Sequence, residues 1–139
     1  ERCSMKRRIL VPIDGTERSK HSLEFIKSIF PSDKVELIIM NVKELVFING
    51  MIISDELTAA KEIADRILNE AVREVPGYKV ETYFTFGYPG DEIVKKAKED
   101  NIDIIVMTKS TRKGLTRMIG SVTVNVVKHA KCSVMIVPE

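Results

Sequence analysis

Between Thr108 and Ser121 the chain gathers groups that hold anions: hydroxyls at Thr108, Ser110, Thr111 and Ser121, and cations at Lys109, Arg112, Lys113 and Arg117. Cationic donors make strong, charge-assisted bonds to phosphate oxygens. Gly120-Ser121 adds a second device, because a helix that starts there presents unpaired backbone N–H groups and the positive end of its dipole. The same residues also describe a solvated basic loop that holds no ligand, and both readings stay open from composition alone. Asp14, which follows the apolar run Ile9-Leu10-Val11-Pro12-Ile13, is a further polar candidate. Asp14-Gly15 is equally an ordinary turn dipeptide.

Other chemistries find no residues to carry them. His21 and His129 stand far apart, and Cys3 and Cys132 lie at opposite ends of the sequence. No metal-ligand spacing results, and two reduced thiols in a cytoplasmic protein are expected. Asp14-Gly15-Thr16 is neither a dinucleotide fingerprint nor a Walker loop. A two-component receiver has the same strand–helix rhythm, but it requires a phosphoacceptor Asp after the third strand and a Lys after the fifth. Here those strands end in Phe86-Gly87 and Pro138-Glu139. With no Ser/His/Asp or Cys/His set at strand ends, we expect a binding protein without catalytic residues rather than an enzyme.

The elements that must position the candidates alternate along the chain. Ile9–Ile13, Val35–Val42, Val80–Phe86, Ile102–Met107 and Val134–Val137 are short apolar or β-rich runs that predict strands, the first of them buried on both faces. A helix is expected to start near Thr16, whose hydroxyl can meet free amides, with Leu23, Ile26 and Phe30 turned inward. A second is predicted from Asp55 to Val75, where Leu57, Ala60, Ala64, Ile67, Leu68, Ala71 and Val75 recur at helical spacing. Gly87-Tyr88-Pro89-Gly90 reads as a turn before a third helix, which has Asp91 and Glu92 early, lysines late and Asn101 as its stop. Ser121–Val127 has strand-like composition, yet a parallel pair needs a crossover helix, and Val122, Val126 and Ala130 recur every four residues; a helix is expected. Residues 43–54 are apolar and irregular. Phe47, Ile48, Met51, Ile52 and Ile53 would form a partner surface or lid, or cover the core.

This alternation predicts an α/β fold: an open, five-stranded parallel sheet with helices on both faces, Rossmann-like, in the order 3-2-1-4-5. Ligands of such sheets sit at the carboxyl ends of the strands where strand order reverses, which draws Asp14, Val42, Gly87 and Thr108 together with the segment after Thr108. A length of 139 residues suits one domain, taken as residues 5–139. Glu1–Ser4 precede Met5 and are expected to be a tag or disordered tail. A net charge of +2, from 22 basic and 20 acidic side chains, argues for neither nucleic acid nor membrane as partner. No apolar run approaches the ~18 residues that span a bilayer. A cytoplasmic location is expected.

The ordered motifs resemble the universal stress protein family over nearly the whole chain from Lys6. Ile9-Leu10-Val11-Pro12-Ile13-Asp14-Gly15-Thr16-Glu17 is similar to its first strand and turn, and Asp103-Ile104-Ile105-Val106-Met107 to its fourth strand. Gly87-x-Pro89 matches the turn before the third helix. Arg112 to Arg117, then Gly120-Ser121-Val122, resemble the loop and helix start that follow the fourth strand, and His129 to Val137 the final turn and strand. The resemblance implies a nucleotide site in which Asp14 lies beside the base or ribose and the backbone of Val42 contacts adenine. ATP-binding members carry G-x-x-G, nine residues, then G-S or G-T. This chain keeps Gly120-Ser121 but departs at the first two glycines: aligned on the fourth strand, Thr108 and Thr111 stand there with one residue fewer before Gly120, the preferred match because it keeps Arg112 and Gly114-Leu115 in place, whereas counting back nine residues puts Met107 and Ser110 there. The resemblance therefore implies weak or lost ATP (and magnesium) binding in a small regulatory module of stress response, or alternatively a nucleotide-dependent switch. It also implies a homodimer formed through the fifth strand, Val134, Met135, Ile136 and Val137, a sheet edge in this order. An unidentified protein partner would fit the same reading.

Overall fold

The computed structural model describes residues 6–44, 49–51, 54–109 and 120–138. Five strands, β1 (Arg7–Pro12), β2 (Val35–Lys43), β3 (Lys79–Phe86), β4 (Ile104–Thr108) and β5 (Ser133–Val137), form one parallel sheet in the order 3-2-1-4-5. The central strand β1 is apolar on both faces because both are covered: Ile9, Leu10 and Val11 are fully buried. Successive side chains then sort into two cores. Ile9, Val11, Leu37 and Ile39 pack with the helices α1 (His21–Ile29) and α2 (Ser54–Arg73). Leu10, Ile38, Met40 and Ile105 pack with α3 (Pro89–Glu99) and α4 (Ser121–His129). Among the described residues no helix is long and apolar enough to cross a membrane.

Several local expectations are corrected. The chain after Asp14 does not enter an α-helix at Thr16: a 3-10 turn, Arg18–Lys20, comes first and α1 begins at His21. The Thr16 hydroxyl accepts from Ser19 N at 3.3 Å, so it closes that turn instead of capping the helix. Pro89 and Gly90 belong to α3 rather than to the preceding turn, because proline suits a first helical position where no N–H is needed. Gly90 is buried there, and a Cβ on it would lie 2.6 Å from Asn125 Nδ2, so glycine sets how closely α3 and α4 approach. Segment 121–129 is helical, as the crossover requires, despite its β-branched composition. Asn101 takes the left-handed conformation expected at the stop of α3, with φ 51°. Phe47, Ile48, Ile52 and Ile53 lie outside the described residues, as do residues 1–4; Met51 is exposed.

At the amino ends of the strands, Arg8 ties four segments together. Its backbone N–H donates to Asp103 Oδ2 at 2.8 Å, and its guanidinium donates to the Asp100 carbonyl at 3.0 Å and to Glu36 Oε2 at 3.2 Å. Lys96 completes the cluster on Asp100 at 3.0 Å. Around β1 this end is therefore consumed by internal pairing. Among the described residues the carboxyl end is open.

A cleft at the carboxyl ends of the strands

Strand order reverses between β1 and β4, and a cleft of about 210 Å³ lies at that point. Its inner wall is apolar: Pro12 at the end of β1 and Ile13 just after it, Met40 and Val42 of β2, and Met107 of β4. Pro89 and Ile93 of α3 and Val122 of α4 close the opposite side. Polar groups stand at the rim, namely Asp14, Arg18, Ser19, Thr108 and Lys109. An apolar slot with few convergent polar groups is the usual form of a small-molecule site.

Asp14 is held by its own turn. Its Oδ1 accepts from Thr16 N at 2.9 Å and from the Thr16 hydroxyl at 2.6 Å. Oδ2 has no partner among the described residues and remains to accept from a ligand. Gly15, with φ 88°, makes the turn sharp, and a Cβ there would come within 2.8 Å of Ile67 Cδ1. Glycine is thus required twice over, by backbone and by space.

Thr108 ends β4 almost fully buried, and its hydroxyl oxygen accepts from Ser22 N at 3.0 Å. Ser22 lies in the first turn of α1, where helix amides lack intrahelical partners. Thr108 therefore caps α1, leaving its hydroxyl proton as the group it can offer a ligand.

The remaining candidates are distributed unevenly. Val42 lines the cleft. Gly87 does not; its N–H donates to Lys43 O at 3.0 Å, and with φ 146° it turns the chain into α3, where a Cβ would meet Glu92 Cγ at 2.8 Å. Gly120 is the extended residue before α4, and Ser121 is the exposed first residue of the helix. The first intrahelical bond is Val124 N to Gly120 O, 3.1 Å, so the amides of Ser121, Val122 and Thr123 stand at an unpaired helix start beside the cleft wall at Val122. Ser110, Thr111 and Arg112 lie outside the described residues. Val134, Met135 and Ile136 are half-buried and Val137 is buried, on a strand that forms one edge of the sheet. Sequence reasoning missed Arg18, Ser19 and Ile93. The strand-end rule points to Arg18 and Ser19, which follow β1; Ile93 reads only as core until α3 is docked.

Among the described residues no group of three or more His, Cys, Asp or Glu could hold a metal ion. Burial pushes the Cys132 thiol upward, away from the reactive range, and the site lies elsewhere in the fold.

The sequence profile described as the universal stress protein family matches residues 5–138. Universal stress protein MJ0531 of Methanocaldococcus jannaschii is 28% identical over 147 residues, covering 98% of this chain and 84% of the relative. The solved structure of MJ0577 from the same organism is similar with a TM-score of 0.72 at 27% identity, covering 97% of each chain. A universal stress protein crystallised in complex with cAMP is similar with a TM-score of 0.66 at 25% identity, covering 97% of this chain and 98% of that one.

Proposed function

Because the chain belongs to the universal stress protein family, we propose that it is a small regulatory module of a cytoplasmic stress response, binding the nucleoside part of an adenine nucleotide in the cleft without catalysing a reaction. The observation that carries this reading is the cleft's composition, with apolar walls from β1, β2, β4 and α3 and one carboxylate at the rim. A flat purine fits between Met40 and Val42 on one side and Pro89 and Ile93 on the other. Asp14 Oδ2 accepts from a ribose hydroxyl or an exocyclic amine. Phosphate is directed toward the amides of Ser121 to Thr123 and the cations Arg18 and Lys109. The relative bound to cAMP supports a nucleotide of this class.

ATP is held weakly in this reading. Thr108 and Thr111 add side chains where ATP-binding members bring bare backbone to the phosphates, and the Thr108 oxygen already serves α1. The module acts as a homodimer through the edge of β5, whose outer backbone groups have no neighbouring strand in the sheet.

Titration calorimetry with AMP, cAMP and ATP, with and without magnesium, tests the reading, alongside light scattering. Saturable binding of the monophosphates, with ATP no tighter and no phosphate released, is the expected result. Submicromolar ATP affinity with turnover would instead establish a nucleotide-dependent switch. Absence of any nucleotide binding would leave an interaction module alone.

A further inference from the structure

The ion pairs around Arg8 join β1, β2 and the α3–β4 connection, and among the described residues they do not extend to β5. There a chamber of about 370 Å³ lies at the last turns of α3 and α4. It shares no lining residue with the cleft and sits at the opposite end of the sheet. Its floor is apolar: Val94 and Ala97 of α3, Ile102 before β4 and Cys132 before β5. Burial raises the Cys132 thiol above its ordinary value, so near neutral pH the sulfur belongs to this uncharged surface.

The rim carries cations without counterions. Lys98 and Lys131 line the chamber, and neither has an ion-pair partner among the described residues. No described carboxylate lines it. Asp100 and Asp103 of the α3–β4 connection are paired elsewhere, Asp100 with Lys96 at 3.0 Å and Asp103 with the Arg8 N–H at 2.8 Å. The end of α3 adds no unmet acceptor at Ala97 or Lys98, whose carbonyls accept from Ile102 N at 2.9 Å and Asn101 N at 3.4 Å. His129 forms a preset wall. Asn125 Nδ2 donates to Asp91 Oδ1 at 2.8 Å, which turns Asn125 Oδ1 toward His129 Nδ1 at 2.9 Å and holds the ring.

We propose that this chamber binds a small organic acid, a carboxylate on an apolar body, independently of the reading given for the nucleotide cleft. The body lies on Val94, Ala97, Ile102 and Cys132, and the carboxylate meets the ammonium groups of Lys98 and Lys131. An amine of the same shape meets two like charges and no carboxylate. An alcohol gains the floor but not the charge-assisted bonds, and an inorganic anion gains those bonds but covers none of the floor. The volume lies at the lower end of small-molecule sites, which suits one ring and a short acid chain.

The probe is 3-phenylpropanoate, compared with 3-phenylpropanol, 3-phenylpropylammonium and inorganic phosphate, followed by amide and methyl chemical shifts of the full chain. The expected result is saturation by the acid in the millimolar range or below, with shifts centred on Val94, Ile102 and Cys132. The alcohol and phosphate should bind more weakly and the amine should not bind. In a Cys3→Ser background, the saturating acid should slow modification of Cys132 by iodoacetamide. Lys98→Gln and Lys131→Gln change exposed residues, so folding is retained; each should weaken the acid about threefold and the pair about tenfold, with AMP affinity unchanged. No saturation, equal binding of the alcohol, the amine or phosphate, or shifts centred on Ile13 and Val42 would overturn the proposal. So would an unprotected Cys132, or a double variant that binds the acid as the parent does.

Discussion

The hydroxyl oxygen of Thr108 accepts the backbone N–H of Ser22 at 3.0 Å, joining the end of β4 to the first turn of α1 across 86 residues of sequence. Both residues are buried, so no water substitutes for either partner. One side chain thus serves the fold at the wall of the cleft.

Thr108→Val should therefore destabilise the protein by about 1–2 kcal/mol, the cost of an unmet buried amide, while Thr108→Ser should stay near the parent. Urea unfolding of the three proteins measures the difference. Equal stability of the Val variant would mean that the bond contributes nothing.

Restoring glycine at positions 108 and 111 separates the two roles. If the threonines crowd the phosphates, the double variant binds ATP more tightly in calorimetry at fixed salt while losing stability for want of the Ser22 acceptor. Weaker ATP binding by the double variant would identify the threonines as ligands in their own right.

Asp14→Asn keeps an Oδ1 acceptor for Thr16 but removes the charge; Asp14→Ala removes both. Nucleotide affinity should fall by roughly three- to tenfold in the Asn variant and further in the Ala variant, whose turn also loosens. Affinities unchanged in both would place the nucleoside away from this rim.

Arg8→Ala should cost about 1–2 kcal/mol, since it strips partners from Glu36, Asp100 and the Asp100 carbonyl at a half-exposed site. Arg8→Lys should recover only part of it, because an ammonium cannot reproduce a fork that reaches three acceptors. Thermal unfolding ranks the three proteins.

Cys132 yields a pH prediction. Burial raises its thiol above the ordinary value of 9.0, so the folded chain holds that proton more tightly than the unfolded chain does. The resulting stability is complete below that ordinary value and is lost as pH rises past it toward the raised folded value. In a Cys3→Ser background, iodoacetamide should modify Cys132 more slowly in the native protein than in urea at the same pH. Equal rates would contradict a partly buried thiol with a raised pKa.

Much of this molecule was legible in order of residues. Five apolar runs separated by amphipathic stretches require a covered parallel sheet, because each run can bury its side chains only against helices on both faces. The same logic made 121–129 a helix against its own β-branched composition, since the β4–β5 connection has to cross over. Asp14 and Val42 could be placed at the cleft because strand ends in such a sheet meet at the reversal point.

What the order of residues could not disclose depends on contacts between distant segments. Thr108 read as a phosphate hydroxyl until α1, docked under β4, claimed its oxygen. Gly90 read as a turn residue until Asn125 of α4 lay against it. Asn41 read as one more position in an apolar strand, and only the pairing of β1 with β2 brings its amide to the Ile13 carbonyl. Periodicity records which face of an element is buried, a local property. Which hydrogen-bonding group that face meets is decided when elements far apart in the chain come together.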